Sequence, residues 1–124
     1  MATGAIKKLQ NMALLWTNSN PTAEFASQTI SVDLTNYDAV IISAATNGTY
    51  FSTLLVLKGG DGAFRYVSRT SSSPYSAVFY TRQVNSVTNS GVAFGAGQLR
   101  QTTSATNTTD NTCNVPQMII WIKF

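Results

Sequence analysis

This chain of 124 residues is poor in charge: 10% of its residues are charged, 44% are hydrophobic, and the formal net charge is +3. A chain of that length fits one domain with a core of its own. Its eight basic residues are scattered, so the concentrated basic surface of a nucleic-acid-binding protein is not expected. With no histidine and a single cysteine, Cys113, the sequence excludes an internal disulfide, a zinc site and a Cys-His nucleophile. We expect Cys113 to be a small buried or loop thiol.

The first residues are predicted to form a separate arm. Residues 1–11 contain the one segment with a possible helical period, Ala5–Asn11, and residues 12–124 are predicted to form a single domain. The opening segment lacks the apolar centre of a secretory signal, and no apolar run is long enough to span a bilayer. We therefore expect a protein made in a cytoplasm, without an export signal or membrane insertion.

The domain begins with segments that read as strands. Met12–Thr17 is a short apolar strand, and an Asn/Pro turn follows it. Gln28–Leu34 alternates between apolar and polar side chains, which predicts a strand with one face buried. Ala39–Ala45 is apolar on both faces, which predicts a central strand covered from both sides.

Turn residues separate the strands in the rest of the chain. Asn47-Gly48 predicts a hairpin into a strand at Thr49–Lys58, and the glycines at 59, 60 and 62 predict another turn. Further strands are predicted in 63–70, from 76 to about 87 and in 92–95, whereas 101–114 is a polar loop. The last segment, Val115–Phe124, is apolar on both faces and therefore belongs in the core or at a subunit interface. About eight strands result, which predicts an all-β fold, an antiparallel β-sandwich of jelly-roll or immunoglobulin-like type.

No catalytic, metal or cofactor site is predicted. Glycoside hydrolysis needs two apposed carboxyl groups, and Asp33 and Asp38 are the only close pair among five acidic residues. Both lie at a corner where Asp side chains are expected to accept local backbone hydrogen bonds. Serine-hydrolase chemistry lacks both its histidine and its glycine-flanked serine. A non-enzymatic protein is therefore expected, with a small glycan-active enzyme as the least favoured alternative.

Aromatic and polar side chains in three predicted loops are the candidates for ligand binding. Loops 47–50, 71–75 and 102–114 would supply rings and hydrogen bonds suited to a hydroxyl-rich ligand. The two loop tyrosines either contact a ligand or cap the core at strand ends, and both tryptophans are expected in the core. Three arginines, at 65, 69 and 82, form either an exposed basic stripe or ordinary solvated charges. The candidate ligand-binding residues are Tyr50, Tyr75, Asn107 and Asp110.

Several motifs resemble those in terminal domains of phage and prophage tail-fibre and receptor-binding proteins, mostly from phages of Gram-positive bacteria. They include Leu15-Trp16-Thr17-Asn18-x-Asn20-Pro21-Thr22, Ser31-Val32-Asp33-Leu34-x-x-Tyr37-Asp38, Gly91-Val92-x-Phe94-Gly95-x-Gly97 and Asn114-Val115-Pro116. They mark turns and core strands, so no functional residue is carried over, and the middle of the chain from about residue 46 to residue 90 is less similar.

The resemblance implies a β-structured virion component that is made in the bacterial host. It would form a homotrimer, contact other virion proteins and bind host cell-surface glycans at the tip of a tail fibre. Because the motifs begin close to Met1, with no fibre shaft before them, a capsid decoration or head-fibre protein stays open as the alternative.

Overall fold

The computed structural model describes residues 11–69, 77–103 and 106–124, and within these ranges it contains nine strands and no helix. The predicted arm and its possible helix lie outside the described residues except for Asn11, whose backbone oxygen accepts a hydrogen bond from the Lys123 amide. The strands are β1 (Met12–Thr17), β2 (Gln28–Ser31), β3 (Ala39–Thr46), β4 (Tyr50–Leu57), β5 (Gly62–Arg69), β6 (Ala77–Thr88), β7 (Gly91–Gln101), β8 (Thr108–Thr109) and β9 (Val115–Ile122).

Two antiparallel sheets pack into a β-sandwich, which confirms the predicted fold class. One sheet has the order β1-β9-β3-β4, and the other has the order β2-β7-β6-β5 with β8 added to β7. Because β1 and β2 lie in different sheets, the strand order is not the immunoglobulin one, in which the first two strands are neighbours. The first strand pairs with the last, so the two ends of the described domain lie side by side.

The additional strand β8 lies in the polar segment 101–114, which was predicted to be a loop throughout. Its two threonines pair with Leu99 and Gln98 of β7. That pairing is possible because β7 continues to Gln101, well beyond the predicted end at residue 95. Along its length β7 forms hydrogen bonds with β6, and this partner keeps the Gly-rich segment extended. Such pairing across the sheet is invisible to local patterns.

The turn at Asn47-Gly48 confirms the predicted hairpin. Both residues have positive φ, 53° and 68°, and the Thr49 amide donates to the Thr46 carbonyl over 3.2 Å. Positive φ at both central positions defines the turn type that matches the twist of paired strands. The hairpin therefore fixes the register of β3 against β4, in which Thr46 pairs with Tyr50.

The core lies between the two sheets and is built from one face of each strand. Predicted strand β2 is shorter than expected, ending at Ser31, yet its alternation continues into the connection, where Leu34 is buried. The amides of Val32 and Leu34 donate to the carbonyls of Ser90 and Asn89. The buried hydrophobic cluster consists of Phe25, Leu34, Val40, Ile42, Ala44, Val56, Phe64, Val84, Val87, Val92, Phe94, Val115 and Ile119.

Candidate functional site

Three tyrosines from three strands stack in a row at one end of the sandwich. Tyr50 and Tyr66 lie nearly parallel, with ring centroids 4.8 Å apart and planes at 17°. Tyr66 also packs against Tyr80, with centroids 5.7 Å apart and planes at 31°. We call these three residues the tyrosine row. Since each sheet contributes, the row connects β4, at the edge of the four-stranded sheet, to β5, at the edge of the five-stranded sheet.

Strand alternation places the row at the end of the core. Tyr66 lies two residues after the buried Phe64 on β5, and Tyr80 lies two residues before the buried Arg82 on β6, so each shares the inward face of its strand. Tyr66 and Tyr80 are direct cross-strand partners. The rings therefore cover the end of the core, but Tyr50 stays 47% exposed. Both alternatives for Tyr50, capping and contact with a ligand, are thus compatible with its position.

The row has an electrostatic connection to the polar segment before β9. Burial raises the pKa of the Tyr80 phenol, and the nearby Cys113, Tyr66 and Asp110 raise it further. The phenol therefore stays protonated at neutral pH and can both donate and accept a hydrogen bond. The effect of Asp110 on Tyr80 also shows that this carboxylate lies within electrostatic range of the row.

Asp110 occupies a tight loop that its own carboxylate stabilises. Its Oδ1 accepts hydrogen bonds from the backbone amide of Thr112, over 3.0 Å, and from the Thr112 hydroxyl, over 2.6 Å. Its backbone carbonyl accepts the Cys113 amide. Burial, with help from Asp110, raises the pKa of the Cys113 thiol to about 12, so the thiol is protonated and unreactive at neutral pH. The predicted buried cysteine is confirmed.

Arg82 holds this loop against the rest of the domain. Its side chain is fully buried, and the guanidinium donates five hydrogen bonds to backbone carbonyls. The guanidinium carbon, Cζ, lies 5.4 Å from the centre of the Phe25 ring. The predicted exposed position of Arg82, whether in a basic stripe or as a solvated charge, is therefore wrong. Burial lowers its pKa to about 10, which still leaves it protonated at neutral pH. The accepting carbonyls belong to Phe25, Gly95, Asn111, Cys113 and Asn114.

The structure brings together two of the four predicted ligand-binding residues. Tyr50 belongs to the row, and Asp110 lies within electrostatic range of it. Asn107 is exposed beside β8, outside the row, and Tyr75 lies outside the described residues. Sequence patterns missed Tyr66 and Tyr80. The alternation of each strand predicts that Tyr66 and Tyr80 face inward, as Phe64 and Val84 do. Their ring contacts with Tyr50 depend on how the two sheets are placed.

A concave surface separate from the tyrosine row lies where β1 leads into the following turn. It has a volume of about 290 Å³ and includes Trp16, Asn20, Glu24 and Gln28. Trp16 is only partly buried there and packs edge-on against Phe25, at 6.4 Å between centroids. The side-chain amide of Asn18 already has partners: its Nδ2 donates to the Pro116 carbonyl, and its Oδ1 accepts the backbone amide of Asn20. The groove thus has fewer free polar groups than its composition suggests.

The two carboxylates considered for catalysis have structural partners. Asp33 accepts the Thr35 amide over 3.0 Å, which confirms the predicted local bond. Asp38 instead accepts the amide of Phe124, 86 positions away, over 2.7 Å, so the local bond predicted for Asp38 is wrong. In the described ranges no group of three or more His, Cys, Asp or Glu residues is placed to hold a metal ion. The same residues include no helix long and apolar enough to cross a membrane.

Comparisons with protein-family models, with curated proteins and with solved structures found no match to this chain. The functional interpretation therefore depends on the chemistry of the tyrosine row and its surroundings.

Proposed function

We propose that this protein is a non-enzymatic surface protein of a phage particle that binds hydroxyl-rich glycans of the host cell surface through the tyrosine row. The observation that carries the proposal is a row of stacked rings, of which Tyr50 is 47% exposed, within electrostatic range of the Asp110 carboxylate. Tyrosine rings contact the apolar faces of sugars, while phenol and carboxylate oxygens form hydrogen bonds with sugar hydroxyls. The setting, a virion made in a bacterial cytoplasm and assembled with other virion proteins, comes from the resemblance.

Charge at the site is compatible with a neutral ligand. Tyr80 is protonated at neutral pH because burial raises its pKa. The buried Arg82 and the protonated Cys113 support the loop from inside and offer no charge to the surface. A glycan built from neutral sugars would therefore pair with phenols and one carboxylate rather than with a cluster of cations.

The test is binding of the purified protein to immobilised cell-wall polysaccharide of the host. Tyr50→Ala should weaken binding by about 1–3 kcal/mol, the range of a moderate hot spot, because it removes the exposed aromatic ring. Tyr37→Ala is the matched control, since Tyr37 is also stacked, on Trp121 at 4.2 Å, but precedes β3 whereas Tyr50 follows it. Its binding should equal that of the parent.

Each alternative outcome has a distinct meaning. If Tyr50→Ala folds and binds as the parent does, the row is not the glycan site. Release of reducing sugars from the polysaccharide would instead support a glycan-active enzyme.

A structural virion component, such as a capsid decoration or head-fibre protein, is the second candidate. The outer face of the four-stranded sheet favours it, because exposed Leu14 and Leu55 on that face are typical of surfaces that become buried on assembly. Failure of the parent protein to bind any host polysaccharide, together with stable incorporation into particles, would make this candidate the better one.

A further inference from the structure

The outer face of the four-stranded sheet is apolar along two neighbouring cross-strand lines, whereas the next line pairs Met118 with Thr17 and Ser43, and Ser43 with Thr53. Cross-strand pairing places Leu14, Ile120, Ile41 and Leu55 in one line across the sheet. A second line contains Met12, Ile122, Ala39 and Leu57. These eight side chains, with Phe51 and Met118, are called the apolar face. None of them is charged, and Leu14, Phe51, Leu55 and Leu57 are each more than half exposed.

The outer face of the other sheet differs in kind. Its cross-strand lines contain Arg65, Thr81 and Gln98, and then Val67, Phe79 and Arg100. Charged and polar side chains interrupt the apolar ones there, as on an ordinary solvated sheet. The same fold thus has one outer face suited to water and one that is not, so the composition of the chain as a whole does not explain the apolar face.

The two central strands of the apolar face are apolar on both sides. β3 and β9 are neighbours in the sheet, and each covers the core with one side, through residues such as Ile42 and Ile119. A strand with apolar residues on both faces is typical of sheets covered on both faces. The second sheet covers the inner side, whereas on the outer side, among the described residues, Leu14, Leu55 and Leu57 are each more than half exposed.

The size of the face fits a partner of the same kind. Four strands of about eight residues span roughly 20 by 25 Å, on the order of 500 Å² before side-chain relief is counted. A standard interface buries about 800 Å² of accessible surface on each partner. The accessible area of the protruding side chains brings the flat sheet area into that range. Sheets pack face to face at about 10 Å, so a flat apolar sheet is best covered by another flat sheet.

We infer that the apolar face is the interface through which this protein binds another copy of itself. A copy of the chain supplies a flat face of matching size that also has no charge to desolvate. Nucleic acid or an acidic peptide would find no cation on the face. The inference is independent of glycan binding, since the tyrosine row lies on the inward side of its strands.

The test measures mass in solution. At micromolar concentration the parent should have the mass of two chains of 13.3 kDa, whereas Leu14→Lys and Leu55→Lys should each reduce it to that of one chain. Val67→Lys is the matched control, because Val67 is 53% exposed on a strand of the other sheet. It should keep the mass of the parent.

The inference would be overturned by a monomeric parent, an unchanged mass in both leucine variants, or dissociation of Val67→Lys to the same extent. Tyr50→Ala should leave the mass unchanged, so a failure of glycan binding and a failure of self-association are separable. Face-to-face packing of two copies joins two chains, so a mass of two chains would support the inference, whereas a mass of three chains would support the trimer predicted from the sequence and contradict face-to-face packing.

Methionine oxidation gives a second readout that needs no folded variant. Met12 and Met118 lie on the apolar face and are 46% and 37% exposed in the single chain. In the assembled parent, peroxide should convert them to sulfoxides several-fold more slowly than after dilution to the monomer. Equal oxidation rates at high and low protein concentration would show that the face stays open, and the inference would fail.

Discussion

At the scale of single residues, Arg82 joins parts of the chain that are far apart in sequence. Its acceptors lie before β2, in the middle of β7 and in the loop between β8 and β9. Each carbonyl would lose one hydrogen bond if the guanidinium were removed, and among the turn and loop bonds of the described residues only that of Asn111 is also paired with a backbone amide, that of Phe25. An unpaired buried polar group costs about 1–3 kcal/mol. Arg82 is therefore a structural residue that positions the loop containing Asp110.

Replacing Arg82 with Met should lower the free energy of unfolding by at least about 4 kcal/mol, since several buried carbonyls would stay unsatisfied. Urea denaturation measures this loss. Arg65→Met is the control, because Arg65 is exposed on the neighbouring strand and its loss should change stability by less than about 0.5 kcal/mol. Equal stability of the two variants would contradict the role given to Arg82.

Arg82 also marks where sequence patterns stop being informative. In a strand, a lone arginine has the same local pattern whether it faces solvent or a set of carbonyls. The carbonyls come from residues 13 to 57 positions away, so only the assembled fold shows that the side chain is buried. Asp33 was predictable because its partner, Thr35, is two residues away.

At the scale of strands, the added pair of β7 and β8 depends on a close approach at Gly97. The Asp110 amide donates to the Gly97 carbonyl over 2.9 Å, and the Gly97 amide donates to Asn111 Oδ1 over 3.2 Å. A Cβ on Gly97 would overlap the backbone oxygen of Asp110 and come within 2.9 Å of Arg82 Nη2. Glycine is therefore required here because two backbones meet.

Gly97→Ala should destabilise the protein by about 1–3 kcal/mol, the usual cost of overpacking, and should weaken glycan binding by displacing Asp110. Thermal unfolding and polysaccharide binding are the two measurements. Gly95→Ala, in the same strand, is the control because its added Cβ would lie 3.4 Å from its nearest neighbour, the Gln83 Cβ. If Gly97→Ala were as stable as Gly95→Ala, the approach of the two backbones would not be tight.

Local patterns predicted most elements and few of their contacts. The hairpin at Asn47-Gly48 was predictable because two adjacent residues determine the turn, and the alternation of Gln28–Leu34 marked its buried side chains. Strand β8 was not predictable, because two threonines become a strand only beside β7. The tyrosine row required the placement of one sheet edge against the other, which no pattern within a strand contains.

At the scale of the whole molecule, the pairing of the first and last strands places the two ends of the domain together. Met12 pairs with Ile122, and the Lys123 amide donates to the Asn11 carbonyl over 3.0 Å. A short added linker can therefore join Phe124 to Asn11 in place of residues 1–10. Circular permutation is tolerated where the new ends open an exposed turn that makes few bonds to the rest of the fold.

Two permutants test this account of the molecule. Opening the chain between Asn47 and Gly48 should leave a folded sandwich, because the bonds of that turn stay within residues 46–49. Opening it between Asn89 and Ser90, at an equally exposed turn, should cost more, because those two carbonyls accept the amides of Leu34 and Val32. Each such bond contributes about 0.5–1.5 kcal/mol, so urea denaturation should place the second permutant roughly 1–3 kcal/mol below the first. If neither permutant folds, the ends of the domain are not adjacent. If their order is reversed, the bonds to the Asn89-Ser90 turn do not hold the connection after β2 against the five-stranded sheet.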